Sequence, residues 1–105
     1  MNILLTGSEG FIGSNLKDKL DNVTCLDLKL GEDLLTCKLP ENIDVVIHLA
    51  GLSGVRISLD NPAEYWKQNV IVSQRIFEHY KNSRILYASS STAHEPWRNP
   101  YAFSK

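Results

Sequence analysis

A turn built on three glycines, set between an apolar strand and an amphipathic helix, constrains this chain more than any other feature. Asn2-Ile3-Leu4-Leu5-Thr6 is a short apolar run that suits a strand buried on both faces, and it stops at Gly7. Between residues 10 and 20, Phe11, Ile12, Leu16 and Leu20 recur at helical spacing and leave Lys17, Asp18 and Lys19 for solvent. In that frame each glycine has a task. Gly7 allows the tight turn, Gly10 lets the backbone approach a pyrophosphate, and Gly13 lets the helix pack on the strand. The helix start adds unpaired N–H groups and the positive end of its dipole. Asp27 follows Gly7 by twenty residues and closes a second predicted strand, Val23–Leu26. A carboxylate there can accept hydrogen bonds from both hydroxyls of an adenosine ribose. Strand, turn, helix and acid together predict a dinucleotide site, and a purely structural glycine turn is the alternative. Asp27 would repel a 2′-phosphate, which favours NAD over NADP, while the nearby Lys29 softens that repulsion.

The rest of the chain alternates in the same manner. Residues 44–50 form the clearest strand, β-branched at its centre and stopped by Gly51. Pro62 opens a helix at the position where its missing N–H costs nothing, and that helix should fade near Asn82. Its apolar residues Tyr65, Trp66, Val70, Ile76, Phe77 and Tyr80 are expected on one broad face. Residues 84–88 are the last strand and run into the hydroxyl cluster Ser89-Ser90-Ser91-Thr92. Residues 28–43, broken by Gly31 and Pro40, give no periodic signal. This alternation indicates an α/β fold with a doubly wound parallel sheet of about four strands, whose ligands bind beyond the carboxyl ends of the strands.

Composition narrows the function classes. The chain has 105 residues, 11 Lys and Arg against 12 Asp and Glu, 43% hydrophobic and 22% charged residues. That is one domain's worth of chain with a globular balance, and it has no internal repeat. A net charge of −1 without a basic run argues against nucleic acid or an anionic membrane as partner. No secretion signal or membrane-spanning apolar run is present, so a cytoplasmic location is expected. Cys25 and Cys37 lie outside any CxxC spacing and are expected as reduced thiols. His48, His79 and His94 share no metal-ligand spacing, so no metal is expected.

Tyr101 and Lys105 are four apart, which on a helix places them on one side. An ammonium near a phenol stabilises the phenolate and makes it a usable acid or base near neutral pH.

With these pieces the sequence resembles the extended short-chain dehydrogenases/reductases, in the NAD-dependent epimerase/dehydratase family that acts on nucleotide sugars. The matching residues are TGSEGFIG at 6–13, Asp27, Asp33-Leu34, His48-Leu49-Ala50-Gly51, Asn69, Ser89-Ser90-Ser91 and Tyr101-Ala102-Phe103-Ser104-Lys105, the last as the family's YxxSK. Gly54-Val55-Arg56-Ile57-Ser58 with Asn61-Pro62 further resembles the sugar 4-epimerase branch. The resemblance implies that Gly7, Gly10, Phe11, Ile12 and Gly13 hold the pyrophosphate and Asp27 the adenosine ribose. It implies that Asp33 and Leu34 edge the adenine and that Leu49, Ala50 and Gly51 line the cofactor. Tyr101 would be the general base. Lys105 would lower its pKa and bind the nicotinamide ribose, and Ser90, or its neighbour Ser91, would hydrogen-bond the reacting sugar hydroxyl.

The implied reaction is a transient oxidation at a sugar carbon, with hydride lent to NAD and returned. Residues 1–105 thus read as an NAD-binding Rossmann domain, incomplete at its C-terminal end and without the substrate domain. The partner is a nucleotide sugar if the enzyme is complete, and the 62–81 helix is a candidate homodimer surface. A catalytically silent dinucleotide-binding remnant and a dehydratase or reductase are the alternatives. The chain departs from the family between Asp27 and Asp33, where the spacing is only six residues and the helix of many relatives should be missing or replaced by a turn, and at Ala93-His94-Glu95, where the family has Val-Tyr-Gly.

Overall fold

The computed structural model describes residues 1–105, the side chain of Thr92 excepted. Four parallel strands, β1 (Ile3–Thr6), β2 (Val23–Leu26), β3 (Val45–His48) and β4 (Arg84–Tyr87), pair in the order β2-β1-β3-β4. The register aligns Thr6 with Leu26 and His48, and His48 with Tyr87, so all four strands end at one level. The order reverses at β1, which puts the crevice between β1 and β3.

Alternation along the strands gives the sheet two faces. One face carries Leu4, Thr6, Leu26, Val46, His48, Ile85 and Tyr87. On it a single core cluster joins Leu4, Leu26 and Val46 to Leu34, Leu39, Val72, Ile76 and Tyr80. Fully burying each of these aliphatic side chains is worth about 1.5–3 kcal/mol, which makes this cluster the main source of stability. The other face receives α1 (Phe11–Lys17), whose buried residue is Gly13.

Helix α1 is shorter than the predicted span of 10–20 and is rotated differently. Phe11 and Ile12 are 87% and 63% exposed, not part of an inward face. The reason is the contact at Gly13: a Cβ there would lie 2.1 Å from the Gly7 carbonyl oxygen, so the glycine edge of the helix must face the turn.

The helix opened by Pro62 is continuous but changes pitch. It runs as α3 (Pro62–Tyr65), a π-helical stretch Trp66–Ile71 and α4 (Val72–His79). It is preceded by α2 (Val55–Asp60), which no sequence signal predicted. The wider π turn shifts the buried face to Tyr65, Asn69, Val72, Ser73, Ile76 and Tyr80. Trp66 and Phe77, expected on that face, are half exposed instead.

Residues 28–43 contain a single 3₁₀ turn, Leu28–Leu30, as the short spacing to Asp33 predicted. This segment lacks a strand or helix to satisfy its carbonyls, and side chains of α4 and of the residues just after it do so. Arg75 donates to the Leu34 and Cys37 carbonyls at 2.5 and 2.6 Å, Tyr80 to that of Pro40 at 2.7 Å, and Ser83 to that of Ile43 at 2.6 Å. Cys25 and Cys37 are free thiols. After β4 the chain makes a 3₁₀ turn, Ser91–His94, and the short helix α5 (Pro100–Ser104).

Candidate functional site

At the carboxyl ends of the strands lies a cavity of about 750 Å³. Its walls come from the glycine turn (Gly7, Gly10), the end of β2 and the segment after it (Asp27, Asp33, Leu34) and the loop after β3 (Leu49, Ala50, Gly51). Eight of the residues expected around a dinucleotide therefore meet in one cavity. The far wall is Ile57, Asn61, Glu64, Tyr65 and Gln68, from α2 and the helix after it. Ile57 and Asn61 lie in the stretches that resemble the sugar 4-epimerase branch, and Tyr65 was expected on the apolar helix face; Glu64 and Gln68 had no signal.

Local geometry explains why the turn takes this shape. Gly7 adopts φ +74°, and a Cβ on it would meet the Ala50 backbone nitrogen at 2.7 Å. Only glycine lets the turn approach the β3 loop so closely. Asp27 fastens the turn to β2. One carboxylate oxygen accepts the Glu9 N–H at 2.9 Å and the other the Lys29 N–H at 2.9 Å. Phe11 and Ile12, whose side chains do not line the cavity, lie in the first helical turn, where backbone N–H groups have no acceptor one turn earlier. Donors at one end and a carboxylate at the other suit a ligand with an anionic diphosphate and a sugar diol. On that chemistry the donor set fits a dinucleotide. Asp33 accepts the Leu35 N–H at 2.9 Å, and Leu34 reaches both the core and the cavity. Gly13 lies beneath the turn and serves packing.

His48 is buried and belongs to the scaffold. Ala50 N–H donates to the Thr6 hydroxyl oxygen at 3.2 Å, and that hydroxyl lies 2.6 Å from His48 Nδ1. On the other side His48 Nε2 lies 3.0 Å from the Ser73 hydroxyl, which donates to the Asn69 carbonyl at 2.7 Å. With the Ser73 proton committed, Nε2 is the donor and Nδ1 the acceptor, which fixes the neutral imidazole. Burial, and secondarily the Lys105 ammonium, pushes its pKa down from 6.5 to about 4. A depressed folded pKa means that the unfolded chain binds the proton better. The stabilisation is complete above pH 6.5 and is lost as pH falls toward 4, amounting to about 3 kcal/mol. An NMR titration of the His48 ring should find its midpoint near 4, with denaturant stability declining over that window; a midpoint at 6 or above would contradict the network. Among the described residues no group of His, Cys, Asp and Glu is placed to hold a metal ion, and no helix is long and apolar enough to cross a membrane.

The candidate acid–base residues gather at the loop after β3. Asn69, brought inward by the π turn, pairs with both backbone groups of Leu52: its Oδ1 accepts the N–H at 2.7 Å and its Nδ2 donates to the carbonyl at 2.9 Å. The same Nδ2 donates to the Ser104 hydroxyl at 2.9 Å, which ties α5 to the loop. Asn99 caps α5 by accepting the Ala102 N–H at 2.8 Å. The Tyr101 ring stands edge-on to Tyr65 at 6.3 Å, and the Tyr65 hydroxyl is held by the Ser53 carbonyl at 2.6 Å. Lys105 is partly buried, which lowers its pKa below the usual lysine range. Its Nζ lies 3.6 Å from where a Cβ on Gly51 would sit. The Ser89 hydroxyl donates to the Lys105 carbonyl at 3.2 Å, so the serine cluster abuts the same corner. Ser90 is partly buried and Ser91 exposed; Thr92, the last hydroxyl of the run, lies outside the described side chains. Tyr101, Lys105 and the serines do not line the cavity itself; Tyr101 and Lys105 stand beside its lining residues Tyr65 and Gly51.

Comparison with known proteins gives a consistent picture. The family model for the NAD dependent epimerase/dehydratase family matches residues 3–105. A Bacillus subtilis protein described as an uncharacterized UDP-glucose epimerase, YtcB, is 33% identical over 90% of this chain and 41% of its own length. The structure of MoeE5 in complex with UDP-glucose and NAD superposes with a TM-score of 0.86 at 31% identity, over 99% of this chain and 45% of that one. RMD from Pseudomonas aeruginosa complexed with NADPH superposes at 0.78 and 28% identity, over all of this chain and 46% of that one. The chain spans about two fifths of the length of the curated relatives it matches.

Proposed function

Because the chain belongs to the NAD dependent epimerase/dehydratase family, we propose that it is the cofactor-binding portion of a cytoplasmic NAD-dependent nucleotide-sugar epimerase. The observation that carries the reading is the single cavity joining Gly7, Gly10, Asp27, Asp33 and the loop 49–51 at the sheet's switch point. When bound, NAD supplies the acceptance and return of a hydride. The chain's own residues do the rest. The glycine turn and first-turn amides of α1, at Phe11, Ile12 and Gly13, receive the diphosphate. Asp27 accepts from the ribose hydroxyls and disfavours a 2′-phosphate, which distinguishes NAD from the NADPH carried by RMD. Tyr101 moves the proton at the reacting sugar hydroxyl, Ser90 or Ser91 holds that hydroxyl, and Lys105 supplies positive charge beside the phenol. A homodimer through the 62–81 helix belongs to the same reading, because Trp66 and Phe77 stay half exposed there.

Calorimetry against NAD and NADP tests the cofactor assignment. NAD should bind the more tightly. Asp27→Asn should weaken NAD about 10- to 100-fold, the worth of a charge-assisted hydrogen bond, and narrow the gap to NADP. Absence of heat with NAD would overturn the reading. UDP-sugar turnover by the complete reading frame tests the epimerase assignment, and the 105 residues alone should bind NAD without epimerising sugars. A catalytically silent dinucleotide-binding remnant is the second reading, and the same turnover assay on the complete reading frame separates the two.

A further inference from the structure

We infer that Tyr87 is a positioning residue whose ring face holds the Lys105 ammonium beside the strand-end cavity, where a partly buried lysine would otherwise require a carboxylate. The inference rests on the proposed role of Lys105 as a cofactor-contacting group.

Lys105 Nζ lies 5.1 Å from the centroid of the Tyr87 ring, inside the range at which the negative face of an aromatic ring attracts a cation. Among the described residues no carboxylate stands within ion-pair distance of it. The ring is itself fixed. Tyr87 ends β4 in register with His48, whose imidazole stacks on it at 5.8 Å and 29°, and Phe77 meets it edge-on at 5.5 Å and 78°. The hydrogen-bond network described above keeps His48 neutral, so the ring's neighbour carries no charge to repel the ammonium. Nζ reaches the loop after β3 beside Gly51, where a Cβ would stand in ordinary contact with it at 3.6 Å.

The choice of partner has a chemical consequence. A carboxylate would accept one or two of the three ammonium protons and neutralise the charge. A ring face attracts the charge and leaves the N–H donors available for hydroxyl or phenol oxygens. Tyr87 thus orients Lys105 without consuming what the reaction needs from it.

A fluorinated series tests this without disturbing the fold. Tyr87→Phe keeps the ring, and mono-, di- and trifluorinated phenylalanine at the same position drain its negative face at nearly constant volume. Two readouts are taken: the Lys105 Nζ pKa by heteronuclear NMR in nucleotide-free protein, and the NAD dissociation constant by calorimetry. Tyr87→Phe should match the parent. The trifluoro variant should lower the Lys105 pKa by about half a unit to one unit and weaken NAD about 3- to 10-fold, with the monofluoro variant between them. A Lys105 pKa that stays flat across the series overturns the proposal, even if NAD weakens, because packing alone would then be responsible. A graded pKa supports it. If no variant, nor the parent, binds NAD, the cofactor reading of Lys105 falls while the NMR series still decides the role of Tyr87.

Discussion

Gly13→Ala is expected to destabilise the fold by about 2–3 kcal/mol, against the usual sign of such a change in a helix. Replacing glycine by alanine inside a helix ordinarily gains up to about 1 kcal/mol. Here the new Cβ would stand 2.1 Å from the Gly7 carbonyl oxygen and 2.9 Å from both the Gly7 carbonyl carbon and Ser8 Cα. All three obstacles are backbone, so no side chain can rotate aside. Overpacking typically costs about 1–3 kcal/mol and occasionally more; three immovable backbone obstacles put this site at the upper end, about 3–4 kcal/mol, which outweighs the propensity gain. A net loss of that size corresponds to a fall of roughly 10 °C or more in melting temperature for a domain of this length. Gly10→Ala is the control, since its Cβ would meet the Gly7 oxygen at an ordinary 3.4 Å. It should melt near the parent yet bind nucleotide less well. Circular dichroism melts of the two variants decide the matter: equal melting temperatures would refute the packing role of Gly13.

Asn69→Ala should destabilise the protein by about 3–5 kcal/mol. Asn69 is 1% exposed, and its amide satisfies the Leu52 N–H, the Leu52 carbonyl and the Ser104 hydroxyl. Truncation leaves the part-buried Leu52 N–H and carbonyl without their partner, at about 1–3 kcal/mol each before water or local shifts recover part, and takes one of its two bonds from the buried Ser104 hydroxyl, which still donates to the Tyr101 carbonyl. The loss falls on the site, because the same amide joins the cavity loop to α5 and so to Tyr101. Urea denaturation measures the first effect, and protease sensitivity at 51–53 and 99–105 the second. A destabilisation below 1 kcal/mol would mean that the loop is held by something else.

The parallel α/β arrangement was legible because its signals are local and agree with one another. Residues 44–50 combine β-branched composition with a glycine stop, and the glycine turn sits between strand and helix as a dinucleotide fold requires. Of the cavity's near wall, Gly7, Gly10 and Asp27 followed from the same local signals, while Asp33, Leu34 and the loop 49–51 were implied only by the family resemblance. What stayed hidden depends on tertiary contact. Helix α2 is six residues long with no side-chain cap, too short for periodicity to announce. The π turn shifts the buried face and puts Asn69 inward while Trp66 and Phe77 turn partly outward, an outcome no 3.6-residue pattern contains. The exposure of Phe11 and Ile12 follows from one glycine contact across the turn, which spacing along the chain does not encode. The partners of Arg75 lie about forty residues away, in a segment whose own sequence carries no period.

That segment, held by side chains of α4 and the residues just after it instead of a strand, leaves β2 at the margin of the sheet. A strand margin with free amides and carbonyls is a template on which other chains can add and polymerise. Here the margin is only four residues long, and Asp21 and Asp27 stand close to its two ends. An incoming strand would find room for few backbone bonds between two negative charges. The uncovered margin of β2 therefore does not open the molecule to fibre growth along that side.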